Sequence, residues 1–239
     1  MELLRKLANK RPKYVFFSGG KDSLACLLLA VEHWPKDSFE VVYTEVPGNT
    51  HPDNIRYVYE VCRELGVKLH HMKNLYYGDF YQCMRRWGLP WVCSRWCYRV
   101  FKKAMWEKLP WGWRIVGLKR SDSRLRHRRY KAQVMREWYT GSYVVLPILD
   151  WTDEQVLDLI KSYGFDLCPC YHKYLDSGNC MFCSFKNKAQ IARVMADDEW
   201  RDKIVDALLE IRQLDNKGWY IIRRWLEASQ PQLVVWLGL

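Results

Sequence analysis

Two groups of residues in this chain have types and spacings that can do chemistry. The first is Ser18-Gly19-Gly20-Lys21-Asp22-Ser23. Without a Cβ, Gly19 and Gly20 can take positive φ and let an anion come close to the backbone. A helix starting here would aim unpartnered N–H groups and its positive dipole end at that anion, and Lys21 would add a full charge. Ser18 and Ser23 can donate hydroxyl hydrogen bonds, and Asp22 can orient a metal ion or a loop amide. The second group is cysteine. Six of nine fall in pairs: Cys93 and Cys97, Cys168 and Cys170, Cys180 and Cys183. Cys180-Met181-Phe182-Cys183 has the C-x-x-C spacing that turns two thiolates toward one metal. Two ligand sets fit the spacing. Cys168, Cys170, Cys180 and Cys183 would make a local zinc knot, whereas Cys93, Cys97, Cys180 and Cys183 would hold an iron–sulfur cluster between distant segments. Cys26, Cys62 and Cys83 lie in apolar helical stretches and read as small buried hydrophobes.

A phosphate cradle needs a strand before it and a helix after it, and both are present. Lys13-Tyr14-Val15-Phe16-Phe17 reads as a short buried strand, and Ser23 to His33 as a helix apolar nearly all round. Without those flanks the loop would read as an ordinary capped turn. Further strands are expected at Phe39 to Thr44, Val67 to His70, Trp113 to Val116 and Tyr143 to Leu146. Helices are expected at Pro52 to Leu65, Arg95 to Lys108 and Thr152 to Tyr163, the last opened by a capping box of Thr152 and Gln155. The alternation predicts an α/β fold, an open and mostly parallel sheet with helices on both faces. After Cys183 the strand signals stop. Asn187 to Met195, Asp198 to Leu214 and Gly218 to Ala228 look helical, so residues 1–185 are expected to form the nucleotide-binding domain and residues 186–239 a small helical appendage. Ligands of such sheets bind beyond the carboxyl ends of the strands. The loops at Ser18 to Ser23, Glu45 to Thr50 and Gly117 to Arg120 would then share one crevice.

The 239 residues are enough for a full hydrophobic core, and no disulfide staple is needed. The longest apolar run, Leu24 to Val31, is far short of the ~20 residues that span a bilayer. The start carries no secretory h-region, so a cytoplasmic setting with reduced thiols is expected. A formal charge of +11 asks for an anionic partner, a nucleotide or a nucleic acid. Much of that charge sits in Lys119 to Lys131, which holds Arg120, Arg124, Arg126, Arg128 and Arg129. Arginine's planar fork meets phosphate or sulfate oxygens in pairs.

Together these motifs resemble the phosphoadenosine phosphosulfate (PAPS) reductase family, within the adenine nucleotide alpha-hydrolase-like superfamily, over roughly Tyr14 to Phe185. Ser18 to Ser23 matches its PP-loop, which holds the pyrophosphate of ATP or the sulfate end of a sulfonucleotide. Tyr43 to Thr50 is similar to its second-strand loop near the adenosine, and Trp96 to Lys102 to its cysteine-led basic helix. Gly117 to Arg124 resembles its Arg-rich substrate loop, and Pro147 to Thr152 and Gly178 to Cys183 complete the series in order. Two departures stand out. The first cysteine pair is adjacent in the cluster-bearing reductases but separated here as Cys93 and Cys97, and no cysteine follows Cys183 to match their tail nucleophile.

The resemblance implies an enzyme binding ATP, or an adenylyl sulfate (PAPS or APS), and cleaving at the α-phosphate side in sulfur metabolism. Ser18, Gly19, Gly20, Lys21, Asp22, Ser23, Thr44 and Gly117 would bind the nucleotide. Lys21, Lys119, Arg120 and Arg124 would stabilise charge in transfer, with Mg²⁺ present if ATP is used. Cys97, Cys180, Cys183 and Cys93 would hold a 4Fe-4S cluster, with zinc as the alternative, and a thiol or electron-donor protein would complete a reduction. A second expectation is an ATP-dependent sulfurtransferase thiolating tRNA or DNA. A third is a nucleotide-binding regulator without catalysis.

Overall fold

The computed structural model describes residues 2–91, 94–138, 140–211 and 218–228. Six strands form one sheet: β1 (Lys13–Phe16), β2 (Glu40–Thr44), β3 (Leu69–Met72), β4 (Trp113–Val116), β5 (Val134–Arg136) and β6 (Tyr143–Val145). Their spatial order is β3-β2-β1-β4-β6-β5. The pairs β1–β2, β2–β3, β1–β4 and β4–β6 are parallel, and β5 runs antiparallel to β6 at the edge. The chain winds outward from β1 through β2 to β3, then returns to the other side of β1 with β4. That reversal opens a crevice between the carboxyl ends of β1 and β4, where open α/β sheets take their ligands.

The helices are α1 (Glu2–Lys6), α2 (Lys21–His33), α3 (Pro52–Leu65), α4 (Phe80–Trp87), α5 (Ala104–Trp106), α6 (Arg124–Arg129), α7 (Asp153–Ser162), α8 (Cys170–Tyr174), α9 (Lys188–Met195), α10 (Asp198–Ile211) and α11 (Trp219–Glu227). β1 is buried along its whole length, so it has two apolar faces. Val15 packs into the main core with Leu24, Leu27 and Leu28 of α2, Val58 and Val61 of α3, and Val156 of α7. Tyr14 and Phe16 face the other way, toward Trp106 and Leu109. The sheet is thus covered on both faces, as the strand–helix alternation predicts.

Several elements differ from expectation for identifiable reasons. α2 starts at Lys21, two residues early, because Gly20 takes the extended N-cap conformation and leaves Lys21, Asp22 and Ser23 in the first turn. β3 starts two residues later than expected because Gly66, at φ +63°, ends α3 and Val67 N–H is spent on Cys62 O. The helix expected over Arg95 to Lys108 takes π-type bonding at Tyr98–Lys103 before α5. Helix α4 was not expected, although Asp79 and Gln82 form its capping box. The closing helices α9 to α11 pack on one another, α10 packs on α4, and their apolar faces join the main core. Trp225 of α11 is fully buried, with its ring 4.6 Å from that of Phe182. Leu214, expected to end α10, lies outside the described residues. Among the described residues no helix is long and apolar enough to cross a membrane.

Candidate functional site

The glycine loop is built from its own side chains. Ser23 Oγ accepts from Ser18 N–H at 3.2 Å and donates to Gly20 O at 2.8 Å, so one hydroxyl closes the turn. Gly19 takes φ +78°, and a Cβ there would lie 2.2 Å from Asn54 Nδ2. Asn54 is fully buried and crowds Gly19 because it holds three segments together. Its amide donates to Ser18 O at 3.0 Å and Ser177 O at 2.7 Å, while its oxygen accepts from Tyr43 Oη at 2.8 Å. Helix α2 has no side-chain N-cap. The Lys21 N–H in its first turn donates to Tyr171 Oη at 3.0 Å, a neutral oxygen in the position an anion's oxygen would take.

Across the crevice, the loop after β4 approaches α2 closely. A Cβ on Gly117 would lie 2.5 Å from the backbone C and O of Asp22, so only glycine fits this contact. The approach brings Lys119 opposite Lys21. Lys21 Nζ lies 2.7 Å from Asp153 Oδ1 and 3.0 Å from Asp22 Oδ1. The Lys119 amine, almost fully buried, also donates to Asp153 Oδ1 and lies 3.3 Å from Asp22 Oδ1 and 3.6 Å from Asp122 Oδ1. Hydrogen bonds from Lys119 and then Lys21 hold the Asp153 carboxyl down to about 2. Burial works against charge on Lys21, but hydrogen bonds from Asp153 and the charge of Asp22 outweigh it and raise its pKa. Two cations from opposite walls therefore converge on one anionic oxygen.

Three of the cysteines meet in a cavity of about 100 Å³ between the loop after β2, α4, the π-helical turn and the 180–185 segment. Cys97, Cys180 and Cys183 line it with Val46, Phe80, Tyr98, Lys102 and Phe182. Burial, with Cys180 and Cys183 beside it, pushes the Cys97 thiol up to about 12, and burial raises Cys183 as well. Three thiolates would share that apolar space only around a cationic group; their sulfurs are not among the ligand atoms that lie within 4.8 Å of one another, so the spacing fits a cluster better than a single ion. Cys93 lies outside the described residues. Cys168 and Cys170 do not join Cys180 and Cys183. They lie instead by His51 and Asp53 at the start of α3, where a His51 ring nitrogen, an Asp53 carboxylate oxygen and Cys170 Sγ all lie within 4.8 Å of one another. The cysteine cavity and the phosphate loop are joined by one segment. Ser177 O is bonded to Asn54 beside Ser18, Asn179 O accepts from Thr50 Oγ1 at 2.9 Å, and Asn179 Oδ1 accepts from Lys102 Nζ at 2.8 Å.

Comparison with known proteins gives this geometry a context. The phosphoadenosine phosphosulfate reductase domain matches residues 13–186, from the first strand through the Cys180–Cys183 pair. The chain belongs to this family. The PAPS reductase family binds adenine nucleotides. Phosphoadenylyl-sulfate (PAPS) reductase from Candida auris, solved as a phosphate complex, shares the fold with a TM-score of 0.55 at 16% identity, covering 72% of this chain and 82% of that one. U34-tRNA thiolase NcsA from Methanococcus maripaludis, solved with its 4Fe-4S cluster, gives a TM-score of 0.48 at 15% identity over 94% of this chain and 75% of that one. Uncharacterized protein MJ0066 of Methanocaldococcus jannaschii is 24% identical over 233 residues, 92% of this chain. The chain spans 47% of that relative's length.

Within this PAPS reductase-type domain, the residues singled out by sequence have different settings. Ser18 to Ser23, Gly117 and Lys119 surround the crevice. Thr44 ends β2, and its hydroxyl accepts from Trp106 Nε1 at 3.0 Å. The Arg120 guanidinium is tied to Asp150 and to the carbonyls of Tyr130, at 3.0 Å, and Lys131, so it braces its own loop. Arg124 is exposed at the start of α6. Sequence reasoning did not single out Asn54, Tyr171, Asp153 or Asn49. Two of them had a visible signal: Asp153 follows the Thr152 N-cap, and Asn49 lies in the Glu45 to Thr50 loop expected at the crevice. Asn49 is fully buried; its amide donates to Phe182 O at 2.9 Å and its oxygen accepts from Phe182 N–H at 2.7 Å, fixing the C-x-x-C turn to the loop after β2.

Proposed function

We propose that this domain is an enzyme that binds ATP or an adenylyl sulfate and cleaves it at the α-phosphate side in sulfur metabolism. The observation that carries the reading is the convergence of Lys21 and Lys119 on Asp153 Oδ1 above the glycine loop. A substrate phosphate or sulfate oxygen would replace that carboxylate oxygen and gain the Lys21 N–H now given to Tyr171. Such preorganised donors lower the barrier by stabilising charge as it develops on the departing group, with no reorganisation during the reaction. Ser18, Gly19, Gly20 and Ser23 shape the cradle, Thr44 and Gly117 border the rest of the nucleotide, Arg120 braces the loop that carries Lys119, and Arg124 supplies positive potential at the mouth. With ATP, the carboxylates of Asp22 and Asp153 are the oxygen ligands available to Mg²⁺.

A second reading, a sulfurtransferase acting on tRNA or DNA, is favoured by one observation. The Ser177–Cys183 segment runs from the glycine loop directly to the cavity of Cys97, Cys180 and Cys183. Those three cysteines would hold a 4Fe-4S cluster, which supplies a place to bind and relay sulfur. Around it, Lys102 offsets thiolate charge, and the apolar walls of Val46, Phe80 and Phe182 exclude water. Exposed arginines on α6 and the exposed ring of Trp138 offer phosphate and base contacts. Anaerobic purification with iron, sulfide and zinc analysis, followed by incubation with ATP, APS and PAPS, separates the readings. Pyrophosphate release indicates adenylation, and sulfite release indicates reduction. Lys21→Ala should abolish either reaction while leaving the fold intact; full turnover in that variant would overturn the central assignment.

A further inference from the structure

We propose that His51, Asp53 and Cys170 form a second metal site, for a divalent ion of the zinc class, distinct from the cavity of Cys97, Cys180 and Cys183. The inference does not depend on the reaction assigned above. The three ligand atoms come from segments more than a hundred residues apart and all lie within 4.8 Å of one another. One imidazole nitrogen, one thiolate and one carboxylate oxygen form a mixed donor set that suits zinc, which takes all three types in a tetrahedral shell.

The surroundings are those of a metal-ligating histidine. Tyr174 Oη donates to Asp197 Oδ2 at 2.7 Å, and that hydroxyl lies 3.2 Å from His51 Nε2. The hydroxyl proton is committed to Asp197, so Nε2 carries the ring proton and donates, which leaves the lone pair on Nδ1. Metal-binding imidazoles are oriented in this way, by an outer acceptor on the second nitrogen. Nδ1 faces Asp53, 3.6 Å from Oδ2, while the other carboxylate oxygen is held by Arg56. The Nδ1 lone pair caps α3 by accepting Asp53 N–H at 3.1 Å. A bound ion would displace that bond, a small loss beside the folding free energy a structural zinc supplies.

The backbone has been fitted to these side chains. His51 N–H donates to Gly178 O at 2.8 Å. Gly178 sits at φ +75°, and a Cβ there would lie 2.6 Å from Cys170 Sγ and 3.0 Å from His51 Cβ. Cys168 stands outside this three-residue group, with its thiol hydrogen-bonded to Ser177 O at 3.3 Å, so water would complete the shell. The consequence is mechanical. The site would tie the start of α3 to the 168–178 segment, which places Tyr171 on Lys21 N–H and Ser177 on Asn54, so a metal here fixes one wall of the phosphate loop.

The test is metal content of the full chain, with iron and zinc counted separately after anaerobic purification and desalting. The unaltered chain should retain about one zinc at this site. Cys170→Ala and His51→Asn should each lose it while keeping iron, since the asparagine oxygen can still cap α3. Tyr174→Phe should weaken zinc binding by about tenfold or more. Cobalt substitution gives a second readout, a thiolate-to-cobalt charge-transfer band that disappears in Cys170→Ala. Circular dichroism of each variant checks folding, and a chain of Cys97→Ala, Cys180→Ala and Cys183→Ala should still take up one zinc. Zinc retained equally in His51→Asn and Cys170→Ala, no zinc in the unaltered chain, or a Cys168–Cys170 disulfide in its place would each overturn the assignment.

Discussion

Replacing Gly117 with alanine tests whether the crevice depends on the close approach of the loop after β4 to α2. The new Cβ would lie 2.5 Å from the backbone C and O of Asp22 and 2.6 Å from Ser23 N. Ordinary contact begins near 3.4 Å, so the two segments must part by roughly 1 Å, and backbone atoms offer no rotamer to relieve the clash. Overpacking of this kind costs about 1–3 kcal/mol. For a chain of this size that lowers the melting temperature by roughly 2–12 °C. The larger effect falls on function. Lys119 follows Gly117 by two residues and shares Asp153 Oδ1 with Lys21, so the shift spreads the two amines that must grip one oxygen. A displacement near 1 Å in a charge-stabilising group costs on the order of 100-fold in rate. The assay is pyrophosphate or sulfite release against nucleotide concentration, paired with urea unfolding. Gly164→Ala is the control, because Gly164 has φ +73° but nothing within 4 Å of its would-be Cβ. It should lose stability through backbone strain and keep its turnover. Unchanged turnover in Gly117→Ala, or an equal loss in Gly164→Ala, would refute the reasoning.

Three further perturbations follow from the same contacts. Tyr171→Phe leaves Lys21 N–H open to ligand and should tighten pyrophosphate binding by about 2- to 12-fold, the worth of one neutral hydrogen bond; calorimetry showing equal or weaker binding would count against the anion-site reading. Asp153 is held down to about 2 from an ordinary 3.8, so its pairing stabilises the protein fully above that ordinary value and is lost as pH falls toward 2. Asp153→Asn should therefore flatten the acid limb of a melting-temperature profile across that window, and since the carboxylate is 58% exposed the change at neutral pH should be small. Asn49→Ala strands the buried Phe182 N–H and should cost about 1–3 kcal/mol in urea unfolding. Iron content should fall with it, and a variant with full iron would show that the C-x-x-C turn holds its shape without Asn49.

What was legible in the sequence depended on whether the cause was local. The glycine loop with its flanking strand and helix could be read because glycine marks positions where backbone approaches something closely, whereas Gly117 was placed only as part of the loop after the fourth strand and its packing on Asp22 was not foreseen. The parallel sheet could be read from alternating apolar runs. Helix α4 was also locally encoded, by Asp79 and Gln82, but its start lies in an aromatic stretch without clear helical periodicity. Strand β5 is three residues long and depends on a distant partner, since the following Glu137 binds the buried Arg114 at 2.7 Å. The site network has the same character. Lys21 meets Asp153 across 132 positions and Tyr171 across 150, separations that no spacing rule covers. Arg120 shows the converse limit. Its residue type suits phosphate, yet its guanidinium braces the loop from within, and the sequence around it is the same in either case.

Spacing alone allowed Cys168 and Cys170 to complete a knot with Cys180 and Cys183, because all four lie within sixteen residues. The fold separates the pairs by directing Ser177 to Asn54 and Asn179 to Thr50 and Lys102, so the chain between them is spent on holding the loop after β2 and the phosphate loop. Cys168 and Cys170 are left beside the glycine loop, and Cys180 and Cys183 are carried to Cys97. The same few hydrogen bonds that divide the cysteines also couple the two sites mechanically. A ligand that displaces Tyr171 from Lys21 N–H moves a side chain adjacent to Cys170, and through Ser177 it bears on the segment that carries Cys180. Nucleotide binding and cysteine chemistry are therefore expected to respond to each other, and the reciprocity is thermodynamic: whatever factor nucleotide applies to metal affinity in the cavity, metal must apply to nucleotide affinity on the loop.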